Sequence, residues 1–203
     1  MTRTWRILVA TLGIILLATS AWAQEKPRLG FKDIYLGMPK VAIQHILEEG
    51  CREQATAAQR TEPEVMARYV SWCLASSPLI LQLPRRYELV GSISLLSAKV
   101  LVKDEKVGGI HLELRRHDYD GMQAALEEKY GRPTNRTVEV VKNKLGAEFN
   151  SEVLTWELKE GTVLMKERSS SLDISEVLIT SYAFLDKAEK ERKSRAKKDA
   201  EGL

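Results

Sequence analysis

The sequence contains few of the residues from which enzyme active sites and metal centres are built. Its 203 residues include two cysteines, without a C-x-x-C spacing, and three histidines, His45, His111 and His117, each expected on the surface. The sequence has neither an H-E-x-x-H helix nor a G-x-S-x-G turn. We therefore predict no catalytic residue, no cofactor and no metal site; His111 and His117 with Asp118 are the alternative metal-binding group.

An excess of charge of one sign is also lacking. The net charge is +3. Two positive charges belong to the first 23 residues and two to residues 186–203, which leaves the body of the chain at −1. Nucleic-acid binding calls for a strongly basic face. We therefore expect no nucleic-acid partner.

The first 23 residues have the pattern of a secretory signal peptide. Two arginines form a positive n-region, residues 7–18 form an apolar stretch, and Ala21-Trp22-Ala23 fits the small-x-small rule of signal peptidase. We predict cleavage between Ala23 and Gln24 and a location in the periplasm or outside the cell. An uncleaved anchor is the alternative. Beyond residue 23 no apolar run approaches the ~20 residues of a transmembrane helix.

The two cysteines, Cys51 and Cys73, both lie in the part predicted to be exported. An even number of cysteines in an oxidising compartment favours a disulfide. Closing a loop of this length stabilises a fold by about 3 kcal/mol in the chain-entropy model. Two buried free thiols, or a metal or redox site, are the alternatives.

Residues 31–51, FKDIYLGMPKVAIQHILEEGC, predict a strand, a turn and a helix. The strand is Phe31–Leu36, Gly37 turns the chain, and Pro39 suits the first position of a helix. Apolar residues then recur at helical spacing up to Gly50, a candidate C-cap. A phosphate-binding loop, the alternative, would need more glycines and a Gly-Lys-Ser/Thr ending. We interpret LGMPK as a strand-to-helix turn.

Most of the remaining chain favours strands. The predicted strands are Tyr69–Ala75, Leu79–Leu83, Leu89–Val102, Val107–Leu114, Thr137–Lys142, Val153–Leu158, Thr162–Arg168 and Ile174–Ala183. We expect a loop with a helical piece over Arg52–Arg68 and a hairpin turn at residues 103–106. Asp120 and Gln123 fit the capping of a second helix, which Gly131 ends.

These elements predict an α+β fold, an antiparallel sheet with two main helices on one face. Both helices follow a short strand and a turn and contain Leu-Glu-Glu near their ends. This echo favours a duplicated helix-plus-sheet unit. The domain would cover residues 31–185, with units 31–107 and 108–185, after a linker at 24–30. The charged tail, 186–203, is predicted to be either a helix or disordered.

The start of the domain resembles a known kind of exported domain. Ile34, Gly37 and Met38 fit the start of the pattern I-x-x-G-M/S-x-x-x-V with which BamE-type (SmpA/OmlA) domains and the related β-lactamase-inhibitor-like fold begin. Val41 lies one position before the valine of the pattern, and Ile46-Leu47 match the helix that follows. The segment LEEKYGRPT is similar to the helix end L-x-x-x-Y/L-G-x-P of such domains. The resemblance implies a helix that leads into an antiparallel sheet. It assigns no functional residue, and the lipoprotein cysteine of the BamE type is missing.

Taken together, the sequence predicts an exported, non-catalytic α+β protein that binds another macromolecule of the cell envelope through a sheet face or a turn edge. An envelope hydrolase with an unrecognised site is one alternative. Inhibition of a secreted enzyme, which the fold resemblance implies, is another. The sequence does not define the number of copies in the functional protein.

Overall fold

Strands and helices contribute about equally to this molecule. The computed structural model describes residues 28–76, 80–169 and 171–201. The strands are β1 Gly30–Phe31, β2 Ile34–Tyr35, β3 Ile80–Gln82, β4 Leu89–Val90, β5 Ile93–Lys103, β6 Lys106–Arg115, β7 Asn135–Lys142, β8 Glu148–Leu158, β9 Gly161–Lys166 and β10 Ile174–Ser181. The α-helices are α1 Gln44–Ala57, α2 Pro63–Ser76, α3 Tyr119–Tyr130 and α4 Tyr182–Glu201.

An eight-stranded antiparallel sheet forms the centre of the fold in the described residues. Its strand order is β3-β5-β6-β10-β9-β8-β7, and β4 pairs with β5 beside β3. β1 and β2 form a separate two-stranded hairpin. Strand β10 lies between β6 and β9, and so joins the two halves of the chain into one continuous sheet. The α+β class predicted from the sequence is confirmed.

One face of the sheet carries the hydrophobic core. Ile110, Leu112 and Leu114 of β6 are buried, as the alternation in the sequence predicts. The same cluster includes apolar residues of α1 and α3, so these are the two main helices on the sheet. Trp156 of β8 is 1% exposed, and its Nε1 donates a hydrogen bond to the Gly131 carbonyl at 2.7 Å. Trp156 is thus a core anchor at the end of α3.

The LGMPK segment is a structural turn. Gly37 has a positive φ of 81°, which glycine adopts without strain. The Gly37 amide donates to the Val107 carbonyl and the Lys40 amide to the Glu105 carbonyl. These amides are therefore occupied by β6 and the turn before it, and the helix-start interpretation is confirmed. A 3₁₀ turn, Lys40–Ile43, comes before α1, and Pro39 is its N-cap. Pro39 therefore lies one residue before the first helical position, where it was predicted.

Helix α1 continues past the predicted cap at Gly50 and ends at Ala57. Gly50 is buried inside the helix, where a Cβ would lie 2.4 Å from the backbone oxygen of Gln82. The glycine therefore permits β3 to approach α1 closely, and its role is contact rather than termination. The predicted loop at Arg52–Arg68 is likewise corrected, since it contains the end of α1 and the start of α2.

The predicted strand Tyr69–Ala75 is wrong, because these residues belong to α2. Tyr69, Val70 and Trp72 favour strands by intrinsic propensity, but propensity yields to tertiary context. Pro63 occupies the first residue of α2, a position where its missing N–H costs nothing. The helix packs on α1, and the ring centroids of Tyr69 and Trp72 lie 5.6 Å apart along it.

Two of the other predicted strands are each divided by a turn: Phe31–Leu36 forms the β1–β2 hairpin, and Leu89–Val102 forms β4 and β5. The remaining predicted strands are found with shifted ends. The hairpin at residues 103–106 is confirmed, with positive φ at Asp104 and Glu105. Strand β8 begins five residues before the predicted start at Val153. Asp120 and Gln123 do not form the predicted cap: Asp118 is the N-cap and makes no side-chain hydrogen bond there, while Gln123 donates to Glu127.

The two ends of the domain differ from the sequence expectation. Leu29 is buried and β1 begins at Gly30, so the predicted linker, 24–30, contributes to the fold at its C-terminal end. The described part of the charged tail, residues 186–201, is helical, which is one of the two predicted states. It forms α4, which begins at Tyr182 in place of the predicted end of the last strand. Phe184 of α4 packs where Gly108 has no side chain.

Candidate protein-binding edge

Strand β7 forms one edge of the sheet. Among the described residues it pairs with β8 alone, from Asn135↔Thr155 to Lys142↔Glu148, without a break in register. β9 pairs with β8 only from Val153 onward. The far ends of β7 and β8, with their connecting loop, therefore extend beyond the neighbouring strand as a two-stranded arm.

The arm exposes apolar side chains that a sheet would normally bury. Seven of the eight β7 residues are exposed. Val138 is 62% exposed and Val140 58%, and Leu145 at the tip is 94% exposed. Val138 and Val140 lie on the face that carries the core elsewhere in the sheet, because their register partners follow the same alternation as Leu154. They continue that apolar face past the point where helices cover it.

The charged side chains of β7 are all engaged within the protein. Arg136 lies 3.2 Å from Glu152, Glu139 lies 3.5 Å from Lys166, and Lys142 lies 2.8 Å from Glu148. The strand therefore presents apolar groups together with charges that already have partners.

The inner end of the arm is held against α3. The Tyr119 hydroxyl donates to Glu152 at 3.0 Å, and burial together with this carboxylate raises the Tyr119 pKa far above its ordinary value. Glu152 also pairs with Arg136 of β7. One carboxylate thus links the helix to the edge strand, and the base of the arm is fixed in position.

Proteins usually protect an edge strand from pairing with other chains. Prolines, bulges, very short strands and charged side chains serve this purpose. Strand β7 has no proline or register shift. The opposite edge is built differently, since the short β3 and β4 each pair with only part of β5. In the described part of the chain, β7 is therefore the long edge that an added strand could join.

The disulfide predicted from the sequence is present. Cys51 of α1 and Cys73 of α2 are joined, with their Cα atoms 6.1 Å apart and both side chains buried. The bond fastens α2 to α1. A disulfide of this kind is compatible with an oxidising location outside the cytosol. The predicted cleavage residues, Ala23 and Gln24, lie outside the described residues.

The histidines do not converge. His45 is exposed on α1, His111 Nε2 lies 3.2 Å from Glu176 Oε2 on the sheet, and His117 lies 3.5 Å from Asp118. Within the described ranges no group of three or more potential metal ligands is brought together. The alternative grouping of His111, His117 and Asp118 is therefore not formed.

Two arginines next to turns, Arg86 and Arg116, pair with carboxylates of other elements. Arg86 pairs with Glu49 of α1, and this carboxylate raises the Arg86 pKa. The Arg85 backbone N–H donates a hydrogen bond to Glu53 at 2.8 Å. Arg116 lies 3.4 Å from Glu167. These charges connect elements of the fold.

A cleft with a volume of about 500 Å³ lies between α4 and the β5–β6 hairpin. Its charged lining is mostly paired: Lys103 lies 2.6 Å from Glu191, and Lys187 contacts Asp104. Phe184 forms its apolar wall. Among the described residues, neither a cysteine nor a histidine lines this cleft.

The edge position of β7 was missed by sequence reasoning, although the strand itself was predicted as Thr137–Lys142. Alternation of residues identifies a strand but does not give its neighbours. The one available signal is the high polarity of the segment, in which Val138 and the pair Val140-Val141 are each flanked by charged or polar residues.

No protein-family model, no curated protein and no solved structure matches this chain at a significant level. The resemblance of residues 31–47 to BamE-type domains therefore stays a prediction. None of the helices in the described ranges is long and apolar enough to cross a membrane.

Proposed function

We propose that this protein is an exported, non-catalytic binding protein that takes up an extended segment of another envelope protein along β7. The occupant would add a strand to the sheet, so that its main chain pairs with the free edge and its alternate side chains contact the exposed valines. The observation that carries the proposal is that β7 pairs with β8 without interruption while seven of its eight residues are exposed.

The exposed side chains define the chemistry of the partner segment. Val138 and Val140 point to the same face, and cross-strand neighbours of β-branched residues are favourably apolar or aromatic. A segment of about eight residues with apolar groups at alternate positions would match the length of β7. The charges of β7 are already neutralised within the protein, so such a segment need not carry a complementary charge.

The disulfide supports the exported location in this proposal. Cytosolic proteins rarely retain structural disulfides. A binding protein in an oxidising compartment would depend on the Cys51–Cys73 bond to hold its helices, while β7 lies at the far side of the sheet order from them.

A linear-peptide display library, panned on residues 24–203, tests the proposal. We expect enriched peptides to alternate apolar and polar residues, and Val138→Lys or Val140→Lys to weaken their binding at least tenfold. Val41→Lys is the matched control, because Val41 is 76% exposed on the 3₁₀ turn before α1. Equal loss with the control, or enrichment unaffected by both β7 variants, would contradict the proposal. If the protein itself forms a dimer and the same two variants prevent dimerisation, the partner at the edge would instead be a second copy of this chain.

A further inference from the structure

A second cleft lies on the core side of the sheet, and no residue of β7 lines it. It has a volume of about 290 Å³ and opens between α3, the β1–β2 hairpin and β4. Leu112 of β6 and Ile179 of β10 form its floor, and Met122 and Leu126 of α3 form one wall. These four side chains are themselves almost completely buried, so the cleft penetrates to the hydrophobic core.

The charged residues that line this cleft, among those described, are Lys32 and Lys129. Both ammonium groups donate to backbone carbonyls: Lys32 to Arg86 at 2.5 Å and Lys129 to Gly30 at 2.8 Å. Each ammonium has three N–H donors, so each keeps donor capacity. No carboxylate lines the cleft in the described part of the chain, and its positive charge is thus balanced by carbonyl dipoles rather than by an acid.

Lys129 is exposed as a residue, but its ammonium group is partly desolvated where it meets the cleft, and this desolvation lowers the pKa of the group. The neighbouring Tyr130 hydroxyl donates to the same Gly30 carbonyl at 2.9 Å, so this one oxygen serves two donors. An anion at this point would give the ammonium a charged partner.

We propose that the cleft binds a small anionic amphiphile, in the simplest case a medium-chain alkyl carboxylate. The alkyl chain contacts Met122, Leu126 and the sheet floor, and the carboxylate accepts hydrogen bonds from Lys129, with Lys32 as the second cation. The volume lies at the small end for ligand pockets, which selects a medium chain over a long one. Leu89, 54% exposed beside the cleft, extends the apolar surface at its mouth.

Calorimetry with a homologous series of alkyl carboxylates tests the chain-binding part. From hexanoate to decanoate we expect the affinity to rise about fourfold per methylene, the value for burying a CH₂ group, and then to level off when the cleft is full. Ala125→Phe, which fills the cleft from α3, should abolish binding, whereas Ala124→Phe on the exposed side of the same helix should not. Binding that survives Ala125→Phe would overturn the assignment.

Three ligands that share a ten-carbon alkyl chain and differ in head group test whether the cleft selects an anion. We expect decanoate to bind at least tenfold more tightly than decanol, and decyltrimethylammonium not to bind. Lys129→Gln should remove the advantage of decanoate over decanol, and the surface control Lys144→Gln should keep it. Equal binding of decanoate and decanol to the unmodified protein, or no binding of any of the three, would overturn the proposal. Neither result bears on peptide binding at β7.

Discussion

At the scale of single residues, Gly50 shows how a backbone contact sets the course of a helix. Glycine ordinarily weakens a helix interior by about 1 kcal/mol relative to alanine. Here it lies against the Gln82 carbonyl of β3, at the place where α1 meets the sheet. Glycine is needed here despite its lower helix propensity, because no larger residue fits between the two backbones.

Replacement of Gly50 should therefore reverse the usual effect of glycine-to-alanine changes. Gly50→Ala puts a methyl group 2.4 Å from a backbone oxygen, so we expect a loss of about 2 kcal/mol in the free energy of unfolding. Gly121→Ala in α3 is the control: its methyl group would meet only Ile93 at 3.4 Å, and it should be neutral or stabilising. Urea denaturation measures both, and stabilisation by Gly50→Ala would show that the contact is absent.

Glu176 is a second residue with a specific energetic role. The hydrogen bond from His111 lowers the pKa of its carboxyl group below 4.5, with a further contribution from Lys166. A carboxyl group whose pKa is lowered by folding stabilises the protein at pH values above its unfolded-state pKa. That stabilisation is lost as the pH falls through the lowered pKa.

Glu176→Gln should accordingly destabilise the protein by about 1 kcal/mol at pH 6, and the difference from wild type should shrink steadily towards pH 3. The measurement is the free energy of unfolding across this range. Glu148→Gln, at an exposed pair on the arm, should change stability by less than about 0.5 kcal/mol. A constant loss for Glu176→Gln at every pH would assign the effect to packing instead of charge.

At the scale of elements, the sequence identified units whose side chains alternate regularly and misassigned those held by tertiary contacts. Strands β6 and β9 alternate clearly and were predicted closely. Helix α2 was missed because its aromatic and β-branched residues favour strands, while only Cys73 among its described side chains is buried. Its stability comes from α1 and the disulfide, neither of which is encoded in a local pattern.

Reduction of the Cys51–Cys73 bond should therefore loosen α2 and lower the melting temperature. The 22-residue separation corresponds to about 3 kcal/mol, or about 6–12 °C for a chain of this size. Calorimetry with and without reductant measures the shift. The double variant Cys51→Ser/Cys73→Ser should melt like the reduced protein and ignore the reductant. Equal melting of the oxidised and reduced wild type would mean that the bond contributes nothing to stability.

At the scale of the whole molecule, the order of the strands decides where binding can occur. The class of the fold and the helices on one face could be predicted from periodicity. The order could not, because β10 enters between β6 and β9, far from its position in the chain. That insertion leaves β7 at the edge. The same assembly of distant segments encloses the cleft beside Lys129, to which β1, β4, α3 and the sheet all contribute.

Hydrogen exchange of the β7 amides tests the central claim most directly. We expect the outward-facing amides of β7 to exchange rapidly in the free protein and to become protected when a selected peptide is bound, while β10, in the sheet interior, stays protected throughout. Unchanged exchange along β7 in the presence of the bound peptide, with new protection at α1 or α2, would contradict the claim.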